Sequence, residues 1–157
     1  MTISAADEVV LRLATPDDAA AIAEVYLASF KVTYDFPLAH TDDQVRRWIG
    51  EYLVPNREMW VATDPDGAVV GLMALSSDQL DQLYLAPGWA KRGIGSRLVE
   101  QAKERRPDGL DLFTFQVNAN AQRFYERHGF VQIWTGDGSD NDEGQPDVRL
   151  AWRPLTS

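Results

Sequence analysis

Gln82-Leu-Tyr-Leu-Ala-Pro-Gly-Trp-Ala-Lys-Arg-Gly-Ile-Gly-Ser-Arg-Leu-Val99 runs from a short β-rich segment through a Pro/Gly turn into a helix that opens on a Gly-x-Gly pair. That succession builds an anion site. Gly93 and Gly95 let the backbone approach a ligand with no Cβ in the way. The unpaired N–H groups of the first helical turn, with the positive end of the helix dipole, then point at a phosphate. Lys91 and Arg92 add positive charge at the same rim, where a pyrophosphate would sit.

On the N-terminal side, residues 9–13 predict a strand, and Thr15-Pro-Asp-Asp supplies a cap with Pro at the first helical position. The following helix buries Ala19, Ile22, Ala23, Tyr26, Leu27 and Phe30, which recur at helical spacing. Thr41-Asp-Asp-Gln starts a second helix with Val45, Trp48 and Ile49 inward. Residues 31–40 between them follow neither period. Their Tyr34 and Phe36 are either packing residues or the lining of an acceptor pocket. Residues 58–63 and 68–75 predict strands joined by Asp64-Pro-Asp-Gly, a hairpin signal, so they pair antiparallel.

Residues 80–85 predict a further strand, and 94–103 a helix with Ile94, Leu98 and Val99 inward. A β-like run at 110–117, a helix at 120–127 and strands at 131–135 and 148–152 complete the chain. The order β-α-α-β-β-β-α-β-α-β-β predicts an α+β fold: a central mixed, mostly antiparallel sheet flanked by helices. A single domain spans 1–157, with its core at about 9–154. A dinucleotide-binding doubly wound fold is excluded, because the glycine pair follows a hairpin in mid-chain and no second βαβ half comes after it.

Composition narrows the function classes. With 157 residues, 45% of them hydrophobic, the chain fills one core. Fifteen Lys and Arg against 24 Asp and Glu give a formal charge of −9, which argues against nucleic acid or an anionic membrane and suits a cationic acceptor. There is no cysteine, so disulfides and a thiol nucleophile are absent by count. His40 and His128 stand in no metal-ligand spacing, and no metal is expected. No apolar run reaches membrane-spanning length and the N-terminus lacks a basic leader pattern, so a cytoplasmic location is expected.

Two motifs carry a family resemblance. Ala90-Lys-Arg-Gly-Ile-Gly95 resembles the Gln/Arg-x-x-Gly-x-Gly/Ala loop of the GCN5-related N-acetyltransferase (GNAT) superfamily, with Ala90 in place of the usual Gln or Arg. Asn118-Ala-Asn-Ala-Gln-Arg-Phe-Tyr-Glu-Arg-His-Gly-Phe130 resembles the family's Asn-x-x-Ala-x-x-Phe-Tyr-x-x-x-Gly-Phe signature, in order and at the expected distance. The resemblance implies the acyl-CoA N-acyltransferase fold and acetyl-CoA as co-substrate.

It further implies that Lys91, Arg92, Gly93, Ile94, Gly95 and Ser96 cradle the pyrophosphate. The strand Leu83, Tyr84 and Leu85, splayed from its neighbour, would present backbone N–H groups to pantetheine and the thioester oxygen. Asn118 and Ala121 join the coenzyme contacts, and Tyr125 lies beside the sulfur as general acid. Phe124 and Phe130 serve the core. Asp81 is the expected base, with Asp78, Asp142 and Glu143 as alternatives, and Tyr34, Phe36, Asp81, Asp142 and Glu143 are expected around the acceptor. The implied activity is direct transfer of an acetyl group, in a ternary complex, to the primary amine of a small molecule or peptide. A different acyl donor or acceptor, and a non-catalytic acyl-CoA sensor, are the alternatives, and either a monomer or a homodimer is compatible.

Overall fold

The alternation of apolar side chains along two central strands organises the molecule. In β2 (Glu58–Thr63) and β3 (Val69–Leu75), Met59, Val61, Leu72 and Ala74 enter one core, while Ala62, Val70, Met73 and Leu75 enter the other. A strand buried on both faces needs helices on both. The computed structural model describes residues 8–155, so the ends of the expected 1–157 domain lie outside the described residues.

β1 (Val10–Leu13), β2, β3 and β4 (Leu80–Leu85) form an antiparallel sheet in sequence order. β5 (Leu110–Phe115), β6 (Val131–Gly136) and β7 (Asp147–Trp152) form a second antiparallel sheet in the order β5-β7-β6. One parallel bridge, Gln79 to Asp111, joins the two and supplies the mixed character. The Asp111 N–H donates to Asp78 O at 3.0 Å at this junction. Beyond it, β4 and β5 have no ladder among the described residues.

α1 (Ala19–Thr33) and α2 (Asp42–Trp48) cover one face, burying Ile22, Leu27 and Val45 against Val61 and Leu72. α3 (Ile94–Arg105) covers the other with Ile94, Leu98, Val99 and Ala102. α4 (Ala119–Arg127) adds Tyr125 to that same core, next to the buried Phe130 of the following turn.

Several boundaries differ from expectation. Residues 31–33 continue α1, although 31–40 was expected to be irregular. The second helix starts at the Thr41 cap as expected, where Thr41 and Gln44 close a reciprocal capping box. It then runs on through a π-helical turn, Ile49–Leu53, and a last turn, Val54–Asn56. Ile49 and Leu53 are both buried in this turn. β5 ends at Phe115 rather than 117, because the Asn118 N–H turns back to Phe115 O at 3.0 Å. Val9 is buried but precedes β1.

Candidate functional site

α3 begins at Gly93, which adopts φ 86°, a left-handed conformation open to glycine without strain. The first backbone bond of the helix is Arg97 N–H to Gly93 O at 3.2 Å, so the amides of Ile94, Gly95 and Ser96 have no partner inside it. Gly95 is closely packed: a Cβ there would lie 3.2 Å from Phe124 Cζ, tight enough that the ring would have to shift, and 3.8 Å from Leu85 Cδ1. Lys91 also takes a positive φ of 63°, and the Arg92 guanidinium lies 4.9 Å from the centre of the Trp89 ring. Ser96 Oγ is 3.0 Å from His128 Nε2. These features fit a pyrophosphate, with Ala90 contributing no side-chain donor.

The divergence of β4 from β5 opens a cavity of about 1190 Å³ that meets this loop. The Ala86 N–H donates to Val70 O of the neighbouring strand at 2.8 Å. Alternation along an antiparallel strand therefore turns the Leu83 and Leu85 amides away from β3, toward the opening. Leu83, Tyr84, Leu85, Lys91, Gly93, Gly95 and Ser96 all line the cavity, as do Asn118, Ala121 and Tyr125. Ile94 points into the core instead and Arg92 lies outside the lining, so these two offer the cavity no side chain.

Four tyrosines converge here. Tyr125 and Tyr84 are both buried deeply enough that desolvation pushes their phenols well up. Tyr26 packs edge-on against Tyr84, with ring centres 4.7 Å apart, and is pushed up to about 12 by burial and then by the charge of Glu143. Burial raises Tyr34 as well, against the hydrogen bond that Asn118 Nδ2 donates to its hydroxyl at 2.9 Å. Asn118 Oδ1 meanwhile accepts from the Ala121 N–H at 3.0 Å and caps α4. Both polar ends of Asn118 are thus used within the protein. It holds Tyr34 in place, a task that sequence reading did not foresee.

Glu143 and Tyr34 line the cavity, whereas Asp142 and Phe36 do not. Phe36 supports Tyr34 and Phe115 from behind, at ring separations of 5.0 and 5.2 Å. Asp142 is 3.1 Å from His40 Nε2, and Glu143 Oε2 accepts from the Ala39 N–H at 3.0 Å. The loop before β7 is latched by these contacts to the loop after α1. Asp81 also reaches the cavity, but its Oδ2 accepts from Arg57 Nε at 2.5 Å. The expected base thus reaches the cavity as one partner of an ion pair with Arg57. Sequence reading also missed Asp147, Thr114 and Phe115, which the pairing of β5 with β7 brings to the cavity wall.

A profile of the acetyltransferase (GNAT) domain matches residues 55–132. The peptidyl-lysine N-acetyltransferase YjaB of Salmonella typhimurium is 30% identical over 122 residues, 78% of this chain and 81% of that protein. The chain belongs to the GNAT family. It is an N-acetyltransferase of that family, and the Escherichia coli YjaB protein is 28% identical over 142 residues, 90% of this chain and 95% of its own. The solution structure of apo YjaB from Escherichia coli superposes with a TM-score of 0.77 at 25% identity, covering 92% of this chain and 97% of that one. The PaiA N-acetyltransferase of Thermoplasma acidophilum, solved in complex with coenzyme A, shares the GNAT fold with a TM-score of 0.71 at 19% identity, over 93% of this chain and 99% of the other. Among the described residues no helix is long and apolar enough to cross a membrane.

Proposed function

We propose that the protein transfers the acetyl group of acetyl-CoA to the ε-amine of a lysine side chain in a peptide or protein. The observation that carries this reading is the continuous cavity from the unpaired amides of the α3 start, past the free edge of β4, to Tyr125. A pyrophosphate suits the first, an extended pantetheine the second and a thioester sulfur the third. The lysine acceptor rests on the peptidyl-lysine N-acetyltransferases to which the chain is similar and on the −9 charge that favours a cation.

In this mechanism the lysine ammonium gives one proton to Glu143, the cavity carboxylate whose charge bears on the tyrosine cluster. The neutral amine then attacks the thioester carbon. The amides of Leu83 and Leu85 stabilise the oxyanion as the C–N bond forms and the C–S bond breaks. Tyr125 gives its proton to the leaving sulfur and recovers one from the nitrogen. Its raised phenol stays protonated at neutral pH, so the donor is always loaded. One proton leaves on balance, through Glu143 to solvent.

The test is release of free CoA from acetyl-CoA with a lysine peptide as acceptor, using the wild type and Tyr125→Phe. The wild type acetylates the peptide, and Tyr125→Phe lowers kcat about a hundredfold while acetyl-CoA affinity stays within about twofold. No turnover of any lysine peptide despite acetyl-CoA binding would overturn the acceptor. An unchanged kcat in the variant would overturn the role of Tyr125.

A further inference from the structure

Asp147, the first residue of β7, lines the cavity with only 9% of its surface exposed. Among the described residues its carboxylate has no hydrogen bond and no ion pair. Its backbone carbonyl alone is engaged beyond the ladder, by Gln116 Nε2 at 3.2 Å. The other buried carboxylate, Asp111, holds Arg149 and Arg153, and among the half-buried ones Asp18 holds Arg12, Glu58 holds Arg105 and Arg106, and Asp81 holds Arg57. A carboxylate that opens onto a cavity with no partner from the protein is completed by what enters it.

Its surroundings are built for a cation. Asp147 stands opposite Phe115 on β5 and Gly136 on β6. Any side chain at 136 would collide with Asp147 Oδ1 and with the Trp134 ring, so the glycine makes the room in which the carboxylate sits. Phe113 and Phe115 line the same wall, and aromatic faces beside a carboxylate favour a positive group. The nearest arginine on this face, Arg149, is already bound to Asp111 and lies over Phe113.

Strand spacing decides which cation. β7 is separated from β4 by β5, two strand spacings or about 10 Å, and the divergence of β4 and β5 adds to that. The reacting nitrogen must lie about 3–3.5 Å from the thioester carbon, alongside β4. Asp147 therefore serves a different group. Building on the lysine-peptide reading above, we propose that Asp147 is a specificity site that binds a second basic side chain of the acceptor. At about 3.3–3.6 Å per extended residue, that side chain belongs to a residue about two to four positions from the acetylated lysine.

The test compares acceptor peptides that carry one lysine and a single Arg two, three or four positions away with the same peptides carrying Gln there. For the wild type, the best-placed Arg raises kcat/KM about tenfold or more, chiefly through KM. In Asp147→Asn that ratio falls to about one, while calorimetry gives wild-type affinity for acetyl-CoA as evidence of a folded coenzyme site. Should the amide variant not fold, Asp147→Ser carries the same comparison. Acetylation of both peptide sets with no preference in the wild type, or with the preference intact in the variant, overturns the Asp147 assignment alone. Failure of the wild type to acetylate any of the peptides overturns the lysine-peptide reading and this proposal with it.

Discussion

Gly95 is held at a point where the start of α3, the ring of Phe124 and the end of β4 meet, and a bare Cβ would already press on Phe124 at 3.2 Å. Gly95→Val is expected to push branched carbons into that junction and weaken acetyl-CoA binding more than about tenfold, with helical content retained. Titration calorimetry beside circular dichroism checks this, and wild-type affinity would remove the loop from the coenzyme site. The residues whose place at the cavity was legible in the sequence were those read from backbone or motif: Gly93, Gly95, Tyr125, Leu83 and Leu85. The ion pair of Asp81 was not legible, because its counter-ion, Arg57, lies 24 positions away, and only the pairing of β2, β3 and β4 makes them neighbours.

Between the elements, the decisive feature is the single bridge from which β4 and β5 diverge. Asp111, 6% exposed, sits at that bridge. Burial pushes its carboxyl up, but the hydrogen bonds from Arg149 and the Arg153 guanidinium 2.9 Å away outweigh this and hold it below the usual carboxylate range. Asp111→Ala leaves two guanidiniums without their anion and should cost about 2–4 kcal/mol, read as a lower urea midpoint. A loss under about 0.5 kcal/mol would mean the junction is held by its backbone alone. Element order and the antiparallel hairpin of β2 and β3 were readable because turn chemistry and period are local. The continuation of the second helix through a π-helical turn was not, since no local cap marks that turn in the sequence.

Taken as one body, the chain binds its edges with ion pairs whose acids are strongly ionised. Asp18 is brought from 3.8 to about 2 chiefly by the hydrogen bond from Arg12, and Glu58 from 4.5 to about 2 chiefly by that from Arg105. Both groups titrate lower in the folded chain than in the unfolded one. Their stabilisation is therefore complete above about pH 4.5 and is lost as pH falls from there toward 2. Urea denaturation at pH 6 and pH 3 should differ by on the order of 1–2 kcal/mol after solvent screening, and the double variant Asp18→Asn/Glu58→Gln should flatten the difference. Equal midpoints at the two values would refute it. The −9 charge was legible as a bias toward cations, but not where a cation would be held.

Local chemistry in the chain was enough for the fold class and the order of elements, and two short motifs for the resemblance to the family, because caps, turns, period and motifs act between residues close in sequence. Only the tertiary structure decided which carboxylates are free. Asp81 and Asp111 find their arginines, Glu143 finds the tyrosines and Asp147 is left facing the cavity through contacts between distant segments. Electrostatic pairing depends on distance in space, and no pattern along the chain encodes it.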